Sequence, residues 1–340
     1  MRWRRGFGVP AAALAVLVSG CVASTGEDRE RATETAEEVY PGELTVVGAR
    51  SLFPAFEGSE VTFAVRDDPD AAVVLRVDAE GDRCDGGACG PALRAARERA
   101  EASARAWRAL EREFSHCGHE VLGVKASGGT VTEPWIAARL DDGNVAAVLR
   151  RIGGCLEAYG RAVPPPRTAP GTSAGAVVVH VVDPSVVDGL PEPAAEAPTL
   201  VDRTSTERHA ALARRAYRAV LYRWTREGIE PQPMSARLVM PFEEKQAFEE
   251  EVHANVRAWL RPYRPHAVLS AYGGIWKLAE GRVDRLEGVV KYCDEPRGER
   301  PACVGDHTLH VTVDRAGRLV GDPVGTRAPG APADPGQSPG

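Results

Sequence analysis

Residues 91–114 read PALRAARERAEASARAWRALEREF, and this stretch decides the architecture. Leu93, Ala96, Ala100, Ala104, Trp107, Leu110 and Phe114 recur at spacings of three and four, which lays one apolar stripe along a long helix. Pro91 suits its first turn, where a missing N–H costs nothing, and Gly118 ends it. The arginines between 94 and 112 interleave with Glu98, Glu101, Glu111 and Glu113, as on a solvated face. Upstream, Ala72–Val77 is a strand-like apolar run, joined to the helix by an Asp-, Gly- and Cys-rich turn, residues 78–90. Downstream, Glu120–Ala126 returns as a strand. Strand, helix and strand in succession set the class as α+β.

Further out, Leu44–Val47 and Val61–Val65 read as strands. A second helix runs from about Asn144 to Tyr159, with Val145, Val148, Leu149, Ile152 and Leu156 on one side. Pro164-Pro165-Pro166 opens a linker that ends at Gly175. Beyond it lie a strand at Ala176–Val182, another at Ser235–Met240, and a helix opened by Pro241 that buries Phe242, Phe248, Val252, Val256 and Trp259. Arg215-Ala216-Tyr217-Arg218-Ala219, with Trp224-Thr225 and Gly228, aligns at constant offset with Arg105-Ala106-Trp107-Arg108-Ala109, Phe114-Ser115 and Gly118. This suggests a second strand–helix–strand copy, although Arg/Ala-rich segments also coincide by composition. The expected organisation is two strand–helix–strand domains with mixed sheets, residues 43–163 and 176–327, joined by the Pro-rich linker 164–175. Residues 22–42 read as a polar flexible tether and 328–340 as a disordered Pro/Gly tail.

The N-terminus places the chain. Arg2, Arg4 and Arg5 precede an apolar run from Phe7 to Val18, too short to cross a bilayer as a helix, so residues 1–21 read as a secretory signal. Val18-Ser19-Gly20-Cys21 resembles the lipobox of bacterial lipoproteins, whose cysteine is acylated and becomes the mature N-terminus. That resemblance implies a lipid anchor on Cys21. Val22 in place of Asp implies, by the same family's sorting rule, the outer membrane with the body facing the periplasm. Six further cysteines (Cys84, Cys89, Cys117, Cys155, Cys293 and Cys303) are an even number in an exported chain and read as disulfides. Sequence proximity favours Cys84–Cys89, Cys117–Cys155 and Cys293–Cys303. The net charge of −6 and the mixing of Lys/Arg with acids give no electrostatic basis for a nucleic-acid partner.

Two further resemblances concern partners. The strand–helix–strand unit with a Gly after its helix resembles the OmpA-like domain that grips peptidoglycan, and Arg215-Ala216…Val220…Gly228-Ile229 follows that family's pattern with one extra residue. The family's Thr-Asp…Asn…Leu-Ser run is absent. Asp85 with Arg105, or Asp183 with Arg215, are the nearest counterparts of its ligand-holding Asp and Arg. Near the C-terminus, Val290-Lys291-Tyr292-Cys293-Asp294-Glu295, Pro301, Gly305 and Val311–Leu319 resemble the TonB-like C-terminal module of envelope proteins in gliding bacteria. That likeness implies contact with protein partners. Asp294 stands in place of its second aromatic.

Other constellations are weaker. Cys84, Cys89, His116, Cys117 and His119 have spacings that suit zinc, but Cys-x4-Cys in an exported chain is more simply a disulfide-closed turn. Asp82 and Asp85 lack the alternating acids of a calcium loop. Gly171-Thr172-Ser173-Ala174-Gly175 matches G-x-S-x-G, but a Pro-rich linker precedes it and a strand follows, the wrong order for a nucleophile elbow. Trp107, Trp224 and Trp259 lie on apolar stripes; Trp135 and Trp276, outside clear helices, are open to an exposed role. No cofactor motif and no acid/base pair stands out. The sequence thus points to a lipid-anchored envelope protein with a non-enzymatic binding or scaffolding role towards periplasmic proteins. Degenerate peptidoglycan binding and an exported hydrolase with an unrecognised site are its alternatives.

Overall fold

The computed structural model describes residues 25–52, 57–127, 130–163, 176–193, 197–225, 228–239, 242–270, 274–295 and 303–327. Cys21, the linker with Ser173, and the tail lie outside them. The class is α+β, with helices, one mixed and other antiparallel sheets, and three disulfides. Among the described residues no helix is long and apolar enough to cross a membrane.

The chain divides into two compact units, the first comprising 1–63 and 74–94, the second 64–73 and 95–340. In the first, Thr25–Val39 is a helix (α1) where the sequence suggested a tether. Its inner face is Asp28, Ala32, Thr35 and Ala36, spaced as successive helical turns. Those residues are small or polar, so no apolar stripe announced them. Asp28 is 8% exposed; its carboxylate accepts from Ser59 Oγ at 2.6 Å and from the Ala79 amide at 2.8 Å. Arg31 pairs with Asp82 at 2.6 Å.

Four strands follow in the order β1 (Leu44–Ser51), β2 (Ser59–Val65), β3 (Asp68–Asp78) and β4 (Arg83–Cys84). Val61 and Phe63 of β2, and Ala71, Val73, Leu75 and Val77 of β3, are buried at every second residue, the period of a one-sided strand. Cys84 and Cys89 are bonded across the turn, with Cα atoms 4.6 Å apart, within the range of unstrained backbones.

Helix α2 (Cys89–His116) buries the whole expected stripe, from Leu93 to Phe114. Within the second unit, Arg108 on its outer face is held by Asp68 at 2.8 Å and Asp70 at 3.1 Å from the β2–β3 hairpin tip. The stripe's C-terminal half joins a core between a five-stranded sheet and α3 (Val145–Ala162), where Trp107, Leu110, Phe114, Ile152 and Leu156 meet Val131, Ile136, Val179 and Val181. Complete burial of each large side chain contributes about 1.5–3 kcal/mol. Cys117 and Cys155, Cα atoms 6.2 Å apart, tie the end of α2 to α3.

The sheet's order is β5 (Val121–Ser127), β6 (Thr130–Ala137), β7 (Ala176–Val182), β8 (Ala216–Thr225) and β9 (Gly228–Val239). Only β6 and β7 pair parallel; their neighbours are antiparallel. Between β7 and β8 the chain forms a 3-10 turn (184–189) and two short helices, α4 (Thr199–Arg203) and α5 (Thr206–Leu212). Residues 216–225 are therefore strand, where the aligned pattern implied a helix. Ala216 and Arg218 point to one face and Tyr217 and Ala219 to the other, and both flanks are paired. Tertiary pairing thus overrides the local helix preference of Arg and Ala. The internal repeat, and with it the helix carrying the second OmpA-like match, is not a structural repeat here.

A C-terminal layer closes the unit. Helix α6 (Phe242–Leu260) buries Phe248, Val252 and Val256 against the antiparallel strands β10 (Val268–Leu269), β12 (Arg285–Cys293), β13 (His307–Asp314) and β14 (Val324–Arg327), with β11 (Lys277–Leu278) also on β12. Cys293 and Cys303, Cα atoms 5.8 Å apart, close the β12–β13 connection. After β13, Gly317 takes φ +82°, and the Asp314 carboxylate accepts from the Ala316 and Arg318 amides at 2.9 and 3.0 Å, a tight turn. Trp276, expected to be free for exposure, is 6% exposed and meets Phe248 edge-on at 5.3 Å. Arg282 reaches Asp142 at 3.0 Å, joining this layer to the loop before α3.

Candidate functional site

The residues singled out from sequence serve local structure. Asp85, exposed with φ +48°, accepts from the Arg76 amide at 3.2 Å. Asp183 caps the 3-10 turn by accepting from Ser185 N at 2.9 Å. Arg105 is exposed on α2. Arg215 lies in the short turn before β8, its side chain outside the described residues. All six cysteines of the suggested frameworks are in disulfides, so their thiolates are not free for zinc, and among the described residues no group of three or more His, Cys, Asp or Glu is placed to hold a metal.

Chemistry gathers instead on the second face of the five-stranded sheet. Register aligns one residue from each of four strands: Trp135 on β6 opposite His180 on β7, His180 opposite Arg218 on β8, and Arg218 opposite Arg237 on β9. The first two are covered. Trp135 is 7% exposed, and its ring stacks on His180 with centroids 3.9 Å apart and 7° between planes. His209 of α5 lies over the same indole at 5.7 Å. The covering segment is fastened by Arg208, 4% exposed, which meets Asp202 at 2.7 Å and donates to the Pro191 carbonyl at 3.2 Å. Arg218 and Arg237, beyond that cover, are half-buried.

Glu133 is aimed at this row by a bulge. Val131 and Trp135 are four apart and would share a face in a regular strand, yet Val131 lies in the α3-side core and Trp135 on the opposite face. The register against β5 jumps between Lys125↔Thr132 and Gly123↔Trp135, and Glu133 sits at φ +50° just before Pro134. A non-glycine residue there is uncommon, and bulges re-aim side chains beside functional sites. The Glu133 carboxylate comes within 3.6 Å of both His180 Nε2 and Lys125 Nζ. At 3.6 Å both are longer than a well-formed hydrogen bond, with His180 Nε2 turned towards the carboxylate. The His180 ring, with help from Lys125 and Arg218, holds the Glu133 carboxyl down to about 2. Burial pushes His180 below its ordinary value against the opposing pull of Glu133, which keeps the ring neutral.

Among the described residues neither ring nitrogen of His180 has a hydrogen-bond partner within 3.5 Å. Lys125 and Arg218 both act on the Glu133 carboxylate, and Arg237 lies beside Arg218. Local sequence could have flagged His180, the one polar residue in AVVVHVV. Its neighbours in the row lie 38 to 57 residues away and carry no such signal.

No family model, curated protein or solved structure matches this chain.

Proposed function

We propose that the chain is a lipid-anchored protein of the bacterial cell envelope, fixed to the outer membrane through Cys21, facing the periplasm, with a non-enzymatic binding role towards envelope proteins. One observation carries the reading. Of seven cysteines, the six beyond Cys21 close into three disulfides, which belong to an oxidising compartment and leave Cys21 as the odd thiol. Acylation gives that odd thiol a use, in a sequence context that resembles a lipobox. Partner contact is supported by the C-terminal layer, which holds Tyr263, Ile275, Val304 and Val324, four of the five large apolar residues exposed among those described. In cells fed labelled palmitate, the wild-type chain should take up label and fractionate with the outer membrane, and Cys21→Ala should do neither. An unlabelled wild type would refute the anchor.

A further inference from the structure

We infer that Arg218 and Arg237 form a binding site for a doubly charged oxyanion, either a phosphate group or a pair of neighbouring carboxylates, on the second sheet face. The inference deepens the binding role above by giving it a ligand class. The two arginines are direct cross-strand partners, and like charges placed opposite one another destabilise a sheet. Neither makes a hydrogen bond or ion pair among the described residues, and Glu133, which feels Arg218, is engaged with Lys125 and His180. Burial and Arg218 both push the Arg237 guanidinium below its ordinary value, the mark of a cation short of counter-charge.

A second observation points the same way. His180, next to Arg218 in the row, is 6% exposed; among the described residues neither ring nitrogen has a well-formed hydrogen bond, Nε2 lying 3.6 Å from Glu133. Buried polar atoms are rarely left so without cause. Arg218 and Arg237 together carry two positive charges with no acid paired to either among the described residues, and a dianion would balance them. Two guanidiniums side by side can each present a two-pronged N–H fork, the geometry that suits phosphate and carboxylate oxygens. Both arginines are half-buried, not enclosed, so their guanidiniums keep part of their surface accessible.

The test is calorimetric titration of the full chain in detergent, at fixed ionic strength, with inorganic phosphate in one arm and succinate in the other. Saturable binding of either is expected, and the arm that saturates tells phosphate from dicarboxylate. Arg218→Gln and Arg237→Gln should each weaken it at least tenfold, and Arg218→Lys, which keeps the charge but loses the fork, by less. Arg282→Gln, at an exposed arginine paired with Asp284 and Asp142, should bind as wild type. Without ligand, both Gln variants should melt no lower than wild type, because a repulsion is relieved. The proposal is overturned if neither anion saturates, or if both Gln variants bind like wild type. Either result leaves the palmitate experiment untouched, so failure here and failure of the anchor are separate findings.

Discussion

Replacing Asp28 by Ala should release α1. Its carboxylate accepts from two donors, the buried Ser59 Oγ at 2.6 Å and the part-buried Ala79 amide at 2.8 Å, and Ser59 is only 2% exposed. Hydrogen bonds to a charged group contribute roughly 1.5–3 kcal/mol each, and a buried donor left unmade costs a similar amount. Taking the lower figure for both, the local opening of α1 should become easier by about 3 kcal/mol, roughly a hundredfold in its opening constant. Asp28→Asn is the informative partner. Its amide oxygen can still accept from Ala79, while its NH2 donates to the Ser59 hydroxyl, so its loss should stay below about 1.5 kcal/mol. Native-state hydrogen exchange reads this directly, because it reports α1 apart from the rest of the chain. If the α1 amides of the Ala variant exchange within threefold of wild type, the two bonds do not hold the helix.

Two other outcomes can be checked on the same material. A methyl group at Gly288 would run into the six-membered ring of Trp276, so Gly288→Ala should displace that tryptophan and lower the thermal midpoint of the C-terminal layer, with a changed Trp fluorescence maximum; an unchanged spectrum and midpoint would contradict the packing. Acid should destabilise the second unit in two stages. His119, His180, His209 and His253 are held below 6.5 chiefly by burial, so the unfolded chain takes up protons first and stability falls as pH drops below about 6.5. Glu133, held at about 2, adds stability that is complete above its ordinary value of 4.5 and is lost as pH falls towards 2. A urea midpoint at pH 5 equal to that at pH 7.5 would refute the first stage.

What the sequence disclosed follows from where its signals are local. The α2 stripe is read off spacing alone because seven apolar residues repeat along one helix, and the structure buries all of them. The three disulfide pairs were legible from proximity once the chain was read as exported. By contrast, α1 stayed hidden because its inner face is Asp28, Ala32, Thr35 and Ala36, a stripe with no hydrophobic signature. Strand β8 was hidden by composition: arginine and alanine favour helices locally, and only pairing with β7 and β9 fixes the extended form. The candidate site was the least legible part. Trp135, His180, Arg218 and Arg237 meet through the register of four strands, which no local window contains, and the bulge at Glu133 breaks the alternation a reader would extrapolate.

Docking of α1 changes the mechanical character of an anchor at Cys21. Four residue steps separate Cys21 from Thr25, where the packed helix begins, and four steps of fully extended chain reach no further than about 14 Å. A free stretch to residue 43 would have let the body roam several times that distance from the bilayer. With Asp28 pinned to Ser59 and Ala79, a lipid on Cys21 as proposed would hold the first unit on a short leash, close to the headgroups of its own leaflet. Reach towards distant layers of the envelope would then be gained by undocking one helix, and Asp28 is the latch that sets how often this happens.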